Sequence, residues 1–192
     1  MYSVDEFKNI LSLKLSKNRC THSFNVADEA RKLAEHYGYY DPDKAYLAGL
    51  LHDVCKEIPP EAQLEMVMKS DMDVTDAEIK SPPLHHAIAG AYYAKTVFGF
   101  TDEDFLNSIR YHTVGRGEMS RLEEIVYLAD LISAERNYKD VSKMRKVSYQ
   151  SIDKAMLEAL VFSIESVLGK GSLIPLHTTQ AYNRYRLAVK KD

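Results

Sequence analysis

The chain has 192 residues, a mass of 21.9 kDa, a net charge of −3 and a pI of about 6.2. That length suits one domain, taken as residues 1–192, with a core large enough to hold a buried site. The acidic balance lacks the electrostatic footprint of a nucleic-acid binder, and no apolar run approaches the roughly 18 residues that span a bilayer.

The opening stretch MYSVDEFKNILSLKLSKNRC carries acids early and is amphipathic, unlike a signal peptide. Val4, Phe7, Ile10, Leu11 and Leu15 fall on one helical face. Thr21 is placed to cap a second helix that runs to about Tyr37 and stops at Gly38. Asp41-Pro42 opens a third, with proline at the first helical position, and it ends in the run AYLAGLLHD. Pro59-Pro60 breaks the chain before a short helix over Glu61 to Lys69. Thr75 with Glu78, and Ser120 with Glu123, have capping-box spacing. Thr101 followed by DED starts the helix that runs into His112. A long helix is expected over about Tyr149 to Leu168, ended by Gly169 and Gly171, and the final HTTQAYNRYRLAVKK reads as helix again. No strand alternation appears, so the fold class is all-α, with about nine helices.

Six residues in or beside these helices carry the chemistry: His22, His52, Asp53, His86, His112 and Asp130. Imidazole and carboxylate suit iron, manganese, zinc or similar ions. A structural zinc site would be compact in sequence and rich in thiolate, so a catalytic metal fits this spread better. His52-Asp53 follows the apolar LAGLL, where burying both groups is costly unless they are paired or bound. His22 starts the apolar stripe continued by Val26, Ala30, Leu33 and Ala34. Asp130 is surrounded by Ile125, Val126, Leu128, Ala129, Leu131 and Ile132, where an unpaired carboxylate would be strongly penalised. His86 precedes the small residues Ala87, Ala89, Gly90 and Ala91, which permit close helix packing. Any one of these histidines alone reads more simply as an ordinary core or surface residue; jointly they read as a metal site. Cys20 and Cys55 form no CxxC pair and read as reduced, buried thiols of a cytoplasmic protein. His36, Arg116 and Arg121 read as surface groups, with phosphate binding as the alternative for the two arginines, and Tyr92, Tyr93, Phe98 and Phe100 as packing or a subunit contact.

The order His, His-Asp, His, His, Asp resembles the HD superfamily of metal-dependent phosphohydrolases. The segments RCTHSFNVADEARKLAEHY, DKAYLAGLLHDVCKE, LHHAIAGAYYA, YHTVGRGEMSRLEEIVYLAD and IPLHTTQAYN together resemble its YqeK-like family, over about residues 15 to 185. The resemblance implies an HD-type helical bundle and a symmetrical bis(5'-nucleosyl)-tetraphosphatase that binds iron; manganese, cobalt or nickel are also compatible with the ligand set. It implies that His22, His52, Asp53 and Asp130 hold the principal metal. His86, rather than His85, aligns with the family histidine, and with His112 it would bind a second ion bridged by Asp53 or meet substrate phosphate. Arg19, Lys56, Thr113 and Arg136 fall at positions suited to phosphate. Leu173, Ile174, Pro175, Leu176, His177 and Thr178 fall where the family meets the nucleotide, although His177 by itself reads as an exposed loop residue. The family carries Glu-Pro after its Ala-Asp-x-Ile run, where this chain has Ser133-Ala134. That departure bears on the loop after Asp130, while Arg136 remains.

The activity so implied is cleavage of diadenosine tetraphosphate to two ADP by a metal-activated water, with Asp53 and Lys56 as catalytic groups. The alternatives are a nucleoside mono- or triphosphate phosphohydrolase on the same core and a nucleotide sensor without turnover. No nucleic-acid or membrane partner is expected, and thirteen tyrosines with no tryptophan are compatible with a homodimer.

Overall fold

The computed structural model describes residues 2–189. Among the described residues it holds eleven α-helices and no strand. The first three are α1 (Val4–Lys14), α2 (Lys17–His36) and α3 (Pro42–Leu51). α4 (Pro60–Lys69) and α5 (Asp76–Ile79) follow, then a single 3-10 turn over Pro82–Leu84. α6 (His85–Thr96), α7 (Glu103–Arg110) and α8 (Arg121–Ile132) complete the central part. The chain closes with α9 (Val141–Ser148), α10 (Ile152–Gly169) and α11 (Leu176–Ala188).

The centre is α3, packed between α2 and α8. Ala45, Tyr46, Ala48, Leu50 and Leu51 of α3 are all buried, as expected of a helix that is apolar nearly all round. Gly49 sets the closeness of the α2–α3 crossing: a Cβ there would lie 3.0 Å from both Ala27 Cα and Val26 O. α7 packs on α6 and α8, while α10 carries α9 and α11 on the outside. α3 therefore delivers its C-terminal end, His52 and Asp53, into the middle of the protein.

Several local expectations hold. Asp41 caps α3, accepting from Lys44 N at 2.9 Å, and both capping boxes are formed. Gly38 takes positive φ (62°) after α2. Both cysteines are free and buried. Phe98 packs on Tyr93 and Phe7, with ring centroids 5.1 Å apart in each case.

Other expectations are corrected. Thr21 lies inside α2 and bonds back to Lys17 O at 3.0 Å. The cap is Ser16, which is itself fixed by the Glu57 carboxylate. Asp102, not Thr101, caps α7, and His112 lies in the turn beyond that helix. The helix count exceeds nine chiefly because α9 gives a weak signal, with its apolar Val141, Met144 and Val147 set among basic residues. Tyr149 ends α9, so the long helix starts only at Ile152. His177 is buried in the first turn of α11 rather than exposed in a loop. Lys190 and Lys191, included in the expected final helix, lie outside the described residues.

Candidate metal centre

Four helix ends converge on one buried point. His22 projects from the first half of α2, His52-Asp53 terminate α3, His86 opens α6, His112 follows α7, and Asp130 lies in the last turn of α8. Four of these side chains come together around one carboxylate, Asp53, which is almost wholly buried. Its Oδ2 lies 3.6 Å from His52 Nε2 and 3.7 Å from His22 Nε2. Its Oδ1 lies 3.2 Å from His86 Nε2 and 3.7 Å from His112 Nε2. Asp130 Oδ1 closes the first group, 3.0 Å from His22 Nε2 and 3.9 Å from His52 Nε2. Two ligand-like sets result, His22–His52–Asp130 and His52–Asp53–His112.

The hydrogen bonds fix which ring nitrogens carry lone pairs. The Nδ1 of His52 faces Gly49 O at 2.6 Å, that of His86 faces Pro83 O at 2.8 Å, and that of His112 faces Ile109 O at 2.7 Å. A nitrogen facing a carbonyl must be the protonated one, so Nε2 of each ring carries the lone pair. Yet His22 Nε2 and His52 Nε2 lie 3.2 Å apart, and His86 Nε2 and His112 Nε2 lie 3.3 Å apart. Lone pairs and carboxylate oxygens thus face one another, and Asp53 Oδ1 is buried without a hydrogen-bond partner. Such a donor-poor cluster suits a cation, and imidazoles whose other N–H is given to a carbonyl are the usual form of metal-binding histidine. The residues present fit a divalent metal.

The electrostatics of His52, His86 and the two aspartates agree, whereas the His22 pKa is raised, because burial is outweighed by its contacts with Asp130 and Glu135, and it would give up the Nε2 proton to a metal. Burial pulls the His52 pKa down to about 4 and holds His86 well below its ordinary value, so both rings are neutral near pH 7. Burial opposes ionisation of Asp53, but the surrounding His52, His112, His86 and Lys56 outweigh it and hold the carboxyl well below the usual range. Asp130 is likewise depressed: burial opposes its charge, and His22, His52 and Arg136 more than offset this.

The expected phosphate-binding groups are not free cations. Arg19 Nη1 bonds Asp53 Oδ2 at 2.8 Å. Lys56, half-buried rather than solvated, has Nζ 3.0 Å from His86 Nε2 and 3.9 Å from Asp53 Oδ1. Arg136 pairs with the Asp130 carboxylate and donates from Nε to Asp130 O at 2.7 Å. Arg19 and Arg136 line a polar cleft of about 370 Å³ together with His22, Glu57 and Glu135. A second, more apolar cleft of about 440 Å³ is lined by Thr113, Leu173, Ile174, Pro175 and Thr178. Its other walls are Lys80–Leu84 and the face of α10 that carries Ile164 and Val167. Leu176 points to solvent, and His177 turns away to Glu78 and Asp73. The Thr113 hydroxyl is buried without a partner.

The loop after Asp130 contains a residue that sequence reasoning missed. Glu135 accepts from His22 Nδ1 and is held by Ser133 Oγ and Asn25 Nδ2, each at 2.7 Å. Ser133 thus orients Glu135 from the position where the family pattern has its own glutamate. Arg145 of α9 fastens the loop by donating to Ile132 O at 2.9 Å, Ser133 O at 2.8 Å and Arg136 O at 3.0 Å. The one available signal was that Glu135 is the first carboxylate after Asp130.

Residues 19–135 match the family model described as the HD domain. The chain is 35% identical to the symmetrical bis(5'-nucleosyl)-tetraphosphatase of Halalkalibacterium halodurans, over 92% of this chain and 93% of that protein. It is 32% identical to the protein of the same name from Bacillus subtilis, over 88% and 90% of the two chains. A crystal structure of a predicted HD superfamily hydrolase involved in NAD metabolism, from Clostridium acetobutylicum, superposes with a TM-score of 0.93 at 37% identity. That likeness covers 98% of this chain and 100% of the other. With its histidines and aspartates gathered from five helices and sequence kinship along almost its whole length, the chain belongs to the HD-domain family, alongside the YqeK-like symmetrical bis(5'-nucleosyl)-tetraphosphatases.

Proposed function

We propose that the protein hydrolyses dinucleoside tetraphosphates, with diadenosine tetraphosphate as the substrate and two ADP as products. The observation that carries the reading is the convergence of imidazole lone pairs on Asp53, whose Oδ1 has no donor of its own. His22, His52, Asp53 and Asp130 would hold the principal metal, and His86 and His112 a second ion or the phosphate. A divalent ion there supplies a water of lowered pKa and neutralises phosphoryl charge. Iron is the metal that the family resemblance implies.

The chain's own residues do the rest. Asp53 accepts hydrogen bonds and can orient the attacking water toward an inner phosphorus. One water is consumed, one central anhydride bond breaks, and each product keeps two phosphates. The leaving group is a stabilised nucleoside diphosphate anion, so the demand is for charge neutralisation more than for a strong acid. Arg19, Lys56 and Arg136 surround the cluster for that purpose. The unpaired Thr113 hydroxyl, next to His112 in the apolar cleft, suits a phosphate or ribose oxygen. One cleft touches His22 and the other Thr113, the neighbour of His112, which favours a substrate with a nucleoside at each end over a mononucleotide. Chromatography of products from ferrous-loaded protein, purified without oxygen, tests this. ADP as sole product is expected; ATP with AMP would place the attack at the wrong phosphorus.

Glu135 should matter through the metal. Its carboxylate fixes His22 with Nδ1 protonated, leaving Nε2 to bind. Glu135→Gln is expected to weaken metal binding about 10- to 100-fold, as the loss of such outer partners usually does. Competition with a chelating dye measures it; wild-type affinity in the variant would remove Glu135 from the site.

A further inference from the structure

A second buried cluster of charged groups lies outside the metal centre. Glu78 of α5 is fully buried, and Arg110 at the end of α7 is almost so. Arg110 Nη2 lies 2.8 Å from Glu78 Oε1 and donates to Asp73 O at 2.6 Å. His177 in the first turn of α11 stands between two carboxylates. Its Nδ1 is 3.1 Å from Glu78 Oε2 and its Nε2 is 3.1 Å from Asp73 Oδ2. Thr75 donates to Glu78 from both its N–H and its hydroxyl, each at 2.9 Å. The Tyr111 ring packs edge-on against His177 and is covered by the Arg110 and Arg116 guanidiniums.

The chain leaving each clamp residue becomes a wall of the apolar cleft. Two residues after Glu78 comes the wall Lys80–Leu84; three after Arg110 come Thr113 and Val114; around His177 lie Leu173–Pro175 and Thr178. Only the imidazolium form of histidine has two N–H donors, so only that form satisfies both carboxylates.

We infer that His177 is a positioning residue: its imidazolium pins three walls of the nucleotide cleft together, and nucleotide affinity depends on it. The inference rests on the nucleotide reading of that cleft. The hydrogen bond to Glu78, and that to Asp73, raise the His177 pKa against the opposing effects of burial and of Arg110. A group with a raised folded pKa contributes fully below its ordinary value, about 6.5, and loses that contribution as pH rises through the folded value. Neutral His177 keeps one donor, and the exposed Asp73 is the partner released.

The test is ADP affinity by calorimetry on the metal-loaded protein, with KM and kcat alongside, from about pH 6 to about pH 9. Wild type should bind ADP more weakly at the alkaline end, by roughly three- to tenfold, with KM rising and kcat following its own profile. His177→Ala should have the weak affinity throughout and a flat dependence. Asp73→Asn, a surface change remote from the metal, should shift the alkaline loss to lower pH because it removes one of the two carboxylate charges that favour the imidazolium. Metal content should be unchanged in both variants. Equal ADP affinity in wild type and His177→Ala across that range, with ADP still produced from the dinucleotide, would overturn the pin alone. Absence of both ADP binding and hydrolysis would overturn the nucleotide reading and the pin with it.

Discussion

Asp53→Ala is expected to abolish turnover and to strip the protein of metal while leaving it folded. Asp53 reaches both histidine pairs, through Oδ2 to His22 and His52 and through Oδ1 to His86 and His112. Its loss therefore disconnects whatever the two pairs hold. The remaining charges make matters worse for a cation, since Arg19 now points into the site with no partner at Oδ2. Turnover should fall by three orders of magnitude or more, above the roughly 10²–10³ typical of one electrostatic contact, because metal and water orientation go together. The fold should survive: the substitution removes a buried carboxylate, not a packing anchor, and the α2–α3–α8 core is untouched. Metal per chain by elemental analysis, circular dichroism and product formation are the three measurements. A companion variant separates one ion from two. If Asp53 bridges two ions, His112→Ala should keep one ion per chain where Asp53→Ala keeps none. Unchanged activity in folded Asp53→Ala protein would sink the assignment of this carboxylate.

How much of this was legible in the sequence follows from the range over which each signal acts. Capping is local: Thr75–Glu78, Ser120–Glu123 and Asp41-Pro42 could be read directly because every atom involved lies within one helical turn. The metal cluster was legible for a different reason. His and Asp in apolar surroundings need a partner, and six such residues imply that they partner one another. The outer layer was not legible. Glu135 lies 113 positions from His22 in sequence, and only the loop fastened by Arg145 brings them together. Thr21 misled because a threonine hydroxyl can cap a helix or bond back within one, and Ser16 was chosen by a contact from Glu57, 41 residues away. His177 misled most, since nothing near IPLHTTQAYN announces that Glu78 waits 99 residues earlier.

Truncation within the pair Glu78–Arg110 should give a large stability effect away from the metal. Both side chains are out of water, and removing Arg110 leaves the buried Glu78 charge with only His177 and Thr75 to offset it. Arg110→Ala is therefore expected to cost about 3–5 kcal/mol, or a fall in Tm of very roughly 10 °C for a domain of this size. The pH dependence identifies the cause. Burial works against the Glu78 charge, but His177, Arg110 and Thr75 prevail and hold its pKa down at about 2. A depressed folded pKa contributes stability above the unfolded value, about 4.3, and loses it as pH falls through the folded value. The gap between wild type and Arg110→Ala should thus be full near neutral pH and narrow as pH drops from about 4 toward 2, where a protonated Glu78 no longer needs its partner. Replacing both members, as Arg110→Met with Glu78→Leu, should recover part of the loss, because apolar groups of similar size need no pairing, the remainder being the donors of Thr75 and His177 left without Glu78. Denaturant titration of the three proteins at neutral and acid pH reads all of this. A double variant as unstable as Arg110→Ala would mean that the lost energy lies in guanidinium packing over Tyr111 and in the bond to Asp73 O, not in the charge of Glu78.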